Sequence, residues 1–125
     1  MVTASQIKAR ASELGFDLCG IAPAESLPEL GFLREWIDRG HAAEMAYMAR
    51  TADRRADVRA VLAGARSVVM LATVYNVDRP YSTERNAPGD AKIARYAWGD
   101  DYHDVVGART EALRSWMAER AGPTF

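Results

Sequence analysis

The chain has 125 residues, of which 49% are hydrophobic and 26% are charged, so its composition is that of a folded globular protein rather than a disordered or fibrous one. Its length suits one domain with a buried core and is short for two. With 16 basic and 17 acidic residues, the formal net charge is -1, which excludes a general electrostatic attraction to nucleic acid or anionic lipid.

The cysteine usage and the first residues of the chain bear on its compartment. Cys19 is the one cysteine and cannot form a disulfide within the chain, which favours a reducing compartment. The first residues lack the basic start and apolar run of a signal peptide, and the apolar run 68–75 is too short to cross a membrane. We therefore expect a cytoplasmic protein without membrane contact.

The opening of the chain predicts one helix followed by one strand. Thr3 and Gln6 have the spacing of a capping box, apolar residues then recur at helical spacing, and Gly15 ends the helix. The short apolar stretch 16–22 predicts a buried strand. Cys19 lies inside that stretch and is interpreted as an inert core residue.

Three further helices are expected in the next part of the chain. Ser26 is expected to cap a helix that ends before Gly40 and carries an apolar stripe of Leu30, Leu33, Trp36 and Ile37. A short helix is expected over the residues after Gly40, up to residue 48. The arginine-rich segment 50–66 predicts a surface helix that ends near Gly64, and a solvated face explains its charge better than contact with phosphates.

The second half of the chain predicts two strands and a final helix. The stretch 67–75 is apolar on both faces, as expected for a central strand that is covered on each side. A long loop follows, and 92–98 then predicts an edge strand before a helix capped by Asp100 or Asp101. The predicted fold is α/β, with a small, partly parallel or mixed sheet of about three strands flanked by four or five helices, forming an incomplete domain.

Residues 95–103 concentrate the reactive side chains of the sequence at a predicted junction between a strand and a helix, where α/β proteins usually hold ligands. A carboxylate at Asp101 can orient the imidazole of His103 and keep it protonated near neutral pH. Helix capping by Asp101 and a solvent-exposed His103 explain the same pattern without any site. Elsewhere the sequence has no phosphate loop, dinucleotide fingerprint or nucleophile elbow, and one cysteine with two distant histidines does not make a metal site.

The order and spacing of several segments resemble the N-terminal region of the epoxyqueuosine reductase family. These segments are LGFDLCGIA at 14–22, GHAAEMAYM at 40–48, GARSVV at 64–69 and RYAWGDDYH at 95–103. The match runs along nearly the whole chain, so residues 1–125 are expected to form the N-terminal, cobalamin-binding-like domain of such a protein.

The resemblance implies a cobalamin-dependent oxidoreductase of queuosine biosynthesis that reduces the epoxide of epoxyqueuosine in tRNA to an alkene. In this family an N-terminal α/β domain holds cobalamin, a ferredoxin-like domain carries two four-iron clusters, and a helical-repeat region grips the tRNA. Carried over to this sequence, the resemblance implies cofactor-binding residues Arg95, Tyr96, Gly99 and Tyr102, and catalytic residues Asp101 and His103 that position groups or relay protons.

The sequence departs from the family pattern in its extent. The ferredoxin cysteines, the helical repeats and the proton-donating acid of the family are not found in it, so it resembles a fragment that is inactive alone and contacts tRNA weakly or not at all. The exposed strand edges of an incomplete sheet would favour self-association. Two alternatives stay open: a cobalamin protein similar to reductive dehalogenases, and a non-enzymatic, truncated interaction module.

Overall fold

A computed structural model describes residues 2–81, 83–84, 89 and 91–121. Within this part of the chain there are five α-helices and two strands: α1 Ala4–Glu13, β1 Leu18–Pro23, α2 Gly31–Asp38, α3 Ala46–Arg50, α4 Ala52–Ala56, β2 Ser67–Ala72 and α5 Tyr102–Ala121. Short 3-10 helices span Pro28–Leu30, Val58–Ala60 and Arg95–Ala97. The chain divides into two compact units, the first formed by the residues up to Gly20 and from Leu71 onward, the second by Ile21–Met70.

The two strands β1 and β2 form an antiparallel pair. The backbone N–H of Asp17 donates to the carbonyl of Ala72, and that of Ala24 donates to the carbonyl of Arg66, each at 3.0 Å. The start of β1 therefore lies beside the end of β2. The expected α/β class is confirmed, whereas the partly parallel or mixed sheet of about three strands is not, because these are the two strands found among the described residues.

The predicted edge strand 92–98 is wrong in the structure, where part of it forms the 3-10 helix Arg95–Ala97. The backbone N–H of Trp98 donates to the carbonyl of Arg95 at 3.2 Å, and its indole N–H donates to the carbonyl of Ile93 at 2.9 Å. These local hydrogen bonds use groups that an extended strand would have offered to a neighbouring strand. Apolar alternation over so few residues did not distinguish the two conformations.

Helix α1 has both of the ends that the sequence predicts. The hydroxyl of Thr3 accepts from the N–H of Gln6 at 3.3 Å, and the Gln6 side chain accepts from the N–H of Thr3 at 3.0 Å, which completes a capping box. Gly15 ends the helix with φ of 88°. The Phe16 N–H then bonds to the carbonyl of Ala11, and the Gly15 N–H to that of Ser12, which is the Schellman pattern.

The core of the first unit lies where α1 packs against α5. Its buried apolar side chains are Ile7 and Ala11 on α1, Phe16 just after it, and Leu113 and Met117 on α5. The predicted last helix is thus confirmed, and Leu113 and Met117 form its buried positions.

The second unit is built from shorter helices than the sequence predicts. The second predicted helix is found as Pro28–Leu30 followed by α2, but the Ser26 hydroxyl bonds to the Ala56 carbonyl at 3.5 Å and does not cap it. Turns occupy the residues after Gly40, so the third helix starts later than expected, at Ala46.

The arginine-rich segment is exposed as expected but is not one continuous helix. Helix α4 ends at Asp57, whose backbone is extended with φ of -150° and ψ of 118°. The Asp57 carboxylate accepts from the N–H of Arg59 at 2.9 Å and so caps the next short helix. Asp57 therefore ends α4 and begins the 3-10 helix Val58–Ala60, although the surrounding sequence has a helical pattern.

Neither strand is covered on both faces. Leu18 is 71% exposed in β1 and Met70 is 62% exposed in β2, while their neighbours Cys19 and Leu71 are half-buried. The predicted burial of both strands is therefore wrong, since no residue of either strand is fully buried. Among the helices of the described residues, none combines the length and apolarity that a membrane span requires.

Candidate functional site

The first unit contains a cavity of about 480 Å³ with mainly apolar walls. We call it the tyrosine cavity; its lining residues are Phe16, Leu71, Thr73, Tyr75, Tyr96, Tyr102 and Val106. They come from the loop after α1, the end of β2 and the residues that follow it, the 3-10 helix Arg95–Ala97, and the first turns of α5. The volume falls within the range of about 300–1,000 Å³ that is typical of small-molecule sites.

Three tyrosines meet edge to face along the cavity. The ring centroids of Tyr75 and Tyr96 are 6.5 Å apart with an interplanar angle of 83°, and those of Tyr96 and Tyr102 are 6.2 Å apart at 78°. Such pairs are favourable because the positive edge of one ring faces the negative face of the next. The three rings are nevertheless 49–64% exposed, so they offer apolar surface to a ligand.

Two polar side chains, those of Arg109 and Asp17, hold the residues that follow β2 and lead to the cavity. The guanidinium of Arg109 donates to the Gly15 carbonyl at 2.9 Å and to the Thr73 hydroxyl at 3.3 Å. The carboxylate of Asp17 accepts from the N–H of Val74 at 2.7 Å. Because Thr73 itself lines the cavity, Arg109 links α5 to the cavity wall.

Asp101 caps α5 and holds the ring of His103. One carboxylate oxygen accepts from the His103 N–H at 2.8 Å and lies 2.8 Å from His103 Nδ1. These contacts, the backbone N–H first and the ring second, lower the pKa of Asp101 below its ordinary value. The His103 ring stacks at 4.0 Å on Tyr102, which lines the cavity, so the capping pair stands beside the tyrosines.

Arg95 is adjacent in sequence to the cavity but does not line it. Its guanidinium donates to the side-chain oxygen of Asn76, to the Val77 carbonyl at 2.7 Å and to the Arg79 carbonyl at 2.9 Å. It also lies over the rings of Tyr81, at 4.3 Å, and of Trp98, at 5.1 Å. The arginine therefore holds a neighbouring loop segment.

Gly99 does not line the cavity either. A Cβ atom added there would meet no atom within 4 Å, and its φ is not among the positive values found at other glycines. Local packing and backbone conformation therefore do not require a glycine at this position.

The structure brings together two of the six predicted site residues, Tyr96 and Tyr102, in the wall of one cavity, with Asp101 and His103 next to them. Sequence reasoning missed the contribution of Thr73 and Tyr75, which fall in the last three residues of the predicted strand 67–75. Their position just past the end of β2 was the available signal, since strand ends commonly carry ligand-binding residues.

Metal-ligating side chains are not grouped in the described part of the chain. No cluster of three or more histidine, cysteine, aspartate or glutamate side chains that could hold a metal ion occurs among the residues described. The walls of the tyrosine cavity suit an apolar, planar group, and the Asp101 carboxylate and the His103 imidazole lie beside the cavity.

Comparisons with known proteins agree on one family. The family model for "Epoxyqueuosine reductase QueG, DUF1730" matches residues 55–125. The epoxyqueuosine reductase of Synechococcus sp. strain CC9605 is 43% identical over 118 residues, covering 91% of this chain and 35% of that protein. That of Gloeobacter violaceus is 43% identical over 117 residues, covering 92% and 35%, and that of Cyclobacterium marinum 40% over 117 residues, covering 93% and 37%.

The chain spans about a third of the length of these curated relatives. No solved structure matches it significantly. The family match covers the 3-10 helix Arg95–Ala97 and α5, which supply Tyr96 and Tyr102 to the cavity. The chain belongs to the epoxyqueuosine reductase family.

Proposed function

We propose that this chain provides the cofactor-facing and substrate-facing N-terminal domain of a cobalamin-dependent epoxyqueuosine reductase, which acts on tRNA in the cytoplasm. The observation that carries the proposal is the placement of Tyr96 and Tyr102, both from the segment 95–103, in the wall of one apolar cavity. The names of the relatives supply the reaction class, the reduction of epoxyqueuosine.

The tyrosine cavity fits one part of a cobalamin better than the whole molecule. A volume of about 480 Å³ suits a drug-sized ligand, whereas a complete cobalamin with its corrin ring, amide arms and nucleotide loop is larger. The exposed faces of Tyr96 and Tyr102 are suited to cover a flat, apolar portion of the cofactor. When bound, cobalamin supplies reducing equivalents to the epoxide.

Asp101 and His103 are proposed to handle protons near the cavity. Converting an epoxide to an alkene consumes two electrons and two protons and releases water, so the oxygen that leaves the ring must be protonated. Asp101 holds Nδ1 of His103 at 2.8 Å, and the 71% exposure of the His103 side chain leaves the other face of the ring accessible. A ring fixed in this way can position or relay a proton.

The electrons are proposed to come from iron–sulfur clusters outside this chain. A four-iron cluster is held by four cysteine thiolates, and the sequence contains Cys19 alone. In the proposal, the chain by itself binds the cofactor, does not reduce the epoxide, and contacts tRNA weakly or not at all. The open edges of the pair β1 and β2 would favour self-association of the isolated chain.

The proposal is tested by titrating the chain with hydroxocobalamin and following the visible spectrum. We expect saturable binding, and we expect Tyr96→Ala and Tyr102→Ala each to weaken it by about tenfold, or about 1.4 kcal/mol, since each removes an aromatic ring that would cover apolar ligand surface. Tyr47→Ala is the matched control, because Tyr47 is 46% exposed and does not line the cavity.

Two results would contradict the proposal. One is that the visible bands of hydroxocobalamin stay those of the free cofactor in the presence of the chain, which would remove the cofactor role of this chain. The other is an equal loss of affinity for Tyr47→Ala and for the two cavity variants, because the effect would then not be specific to the cavity.

A further inference from the structure

One side chain ties together two segments that are distant in sequence. Arg95 lies in the 3-10 helix Arg95–Ala97, and its guanidinium donates to three acceptors in residues 76–79. Those residues form neither helix nor strand. The Val77 carbonyl also accepts from the Arg79 N–H at 2.9 Å, so Arg95 adds a second donor to an acceptor that already organises this turn. The planar arginine fork matches several acceptors at once, which a lysine ammonium cannot do in the same way.

Both tied segments carry a wall of the tyrosine cavity. Tyr75 immediately precedes the held residues, and Tyr96 immediately follows Arg95. The two rings meet edge to face with centroids 6.5 Å apart. We call the hydrogen bonds from Arg95 to residues 76–79 the clasp. Because the clasp joins the residues next to the two rings, it fixes the distance between the rings.

The clasp is also packed by aromatic rings. The Arg95 guanidinium lies 4.3 Å from the centroid of the Tyr81 ring and 5.1 Å from that of Trp98. Arg95 is half-buried, so its guanidinium is only partly solvated. A guanidinium in such a place is stabilised by stacking on aromatic faces. These contacts engage the guanidinium with groups of the protein, and Arg95 is not among the residues that line the cavity.

We infer that Arg95 is a positioning residue that holds the Tyr75–Tyr96 wall of the tyrosine cavity at its binding width. The inference rests on the proposed function, in which that cavity receives part of the cofactor. It assigns Arg95 an indirect role, through the segment 76–81, in place of direct contact with the ligand.

Hydrogen exchange without any ligand tests the clasp itself. In the 125-residue chain, Arg95→Ala should speed exchange of the Arg79 backbone amide by about tenfold or more. That N–H donates to the Val77 carbonyl at 2.9 Å, and the substitution removes the guanidinium that holds the same carbonyl. Arg79→Ala is the matched control: it removes an arginine side chain from the same segment but keeps the carbonyl that Arg95 uses. After correction for intrinsic rates, that control should exchange as the unsubstituted chain does.

Binding of hydroxocobalamin tests the consequence for the cavity. Arg95→Ala should lower the affinity by about tenfold with the far-ultraviolet circular dichroism unchanged, Arg95→Lys should not restore it, and Arg79→Ala should bind normally. Added methylguanidinium, at a concentration that leaves the unfolding curve unchanged, should restore binding to Arg95→Ala, whereas methylammonium should not. If Arg95→Ala lost affinity through a general loss of structure, methylguanidinium would not restore binding better than methylammonium.

The outcomes separate this inference from the proposed function. Unchanged exchange in Arg95→Ala overturns the inference, as does unchanged affinity despite faster exchange. If the unsubstituted chain does not bind cobalamin, the proposed function is what fails. In that case hydrogen exchange in 76–81 alone tests the role of Arg95. Faster exchange in Arg95→Ala supports the link between Arg95 and this segment, and an unchanged rate overturns it.

Discussion

At the scale of single residues, one carboxylate oxygen of Asp101 both caps α5 and contacts the ring of His103. The sequence allowed two explanations for Asp101 and His103, a helix cap or a catalytic pair. The structure contains the cap, with the carboxylate accepting from the His103 N–H at 2.8 Å. The same oxygen also lies 2.8 Å from the ring nitrogen, so capping fixes the imidazole against Tyr102. The cap is thus itself the device that orients the ring.

The capping role predicts a specific dependence on pH. Because the folded state lowers the pKa of Asp101, the stabilisation it gives is fully present above the ordinary value of 3.8 and is lost as the pH falls through the lower folded value. We expect Asp101→Ala to lower the thermal midpoint near neutral pH, and the difference from the unsubstituted chain to shrink below pH 3.8. Thermal unfolding followed across an acid pH series measures both.

Asparagine at the same position supplies the control for this pH effect. An asparagine side chain also caps helices but does not ionise, so Asp101→Asn should keep most of the neutral-pH stability. The difference in thermal midpoint between Asp101→Asn and Asp101→Ala should stay constant as the pH falls. A gap between the unsubstituted chain and Asp101→Ala that stays the same down to the lowest pH would contradict the assigned role.

At the scale of helices and strands, the sequence predicted correctly the elements whose ends are set by nearby residues. Helix α1 was predicted with both ends because Thr3, Gln6 and Gly15 act within a few residues of it. The helix expected over 50–66 was interrupted because Asp57 caps a new start, and the strand expected over 92–98 folded into a 3-10 helix. These outcomes depend on hydrogen bonds that composition and periodicity do not reveal.

The candidate site divides in the same way. Tyr96 and Tyr102 lie within one short motif and were found from it, whereas their partner Tyr75 comes from a segment about twenty residues earlier. The contact of Arg95 with residues 76–79 is equally distant in sequence. Such pairings are set by tertiary structure, so the contacts of Arg95 with this segment could not be predicted from the sequence, and its expected role in binding the cofactor stays a prediction.

The end of α1 gives a prediction at the scale of an element. Gly15 has φ of 88°, and an added Cβ would stand 3.3 Å from the Arg109 guanidinium carbon. Gly15→Ala should therefore lower the free energy of unfolding by about 1–2 kcal/mol, from the left-handed backbone alone. Urea unfolding followed by circular dichroism measures this difference.

Gly107 is the matched control in the same unit. It lies inside α5, and an added Cβ there would meet no atom within 4 Å. Gly107→Ala should raise the free energy of unfolding by about 0.5–1 kcal/mol, because alanine restricts the unfolded chain and favours helix. Equal effects of the two substitutions would show that the conformation at Gly15 does not matter.

At the scale of the whole molecule, the buried core is small and the exposed apolar surface is extensive. The buried apolar residues of the described part include few large side chains, while many large ones are 38–71% exposed. The tyrosine cavity belongs entirely to the first unit and draws on both ends of the chain, Phe16 on one side and α5 on the other. Its walls are therefore only as stable as the packing of α1 against α5 that brings those ends together.

That dependence predicts a large effect from one buried leucine. Leu113 on α5 is 2% exposed, so Leu113→Ala removes packed apolar surface and should lower the free energy of unfolding by about 2–5 kcal/mol. Leu18→Ala, the same substitution at a position that is 71% exposed, should change it by less than about 0.5 kcal/mol. Hydrogen exchange should show protection lost in both α1 and α5 for Leu113→Ala, because the two helices share one core. If α1 stayed protected while α5 opened, the core would not be shared, and the cavity walls could not depend on that packing.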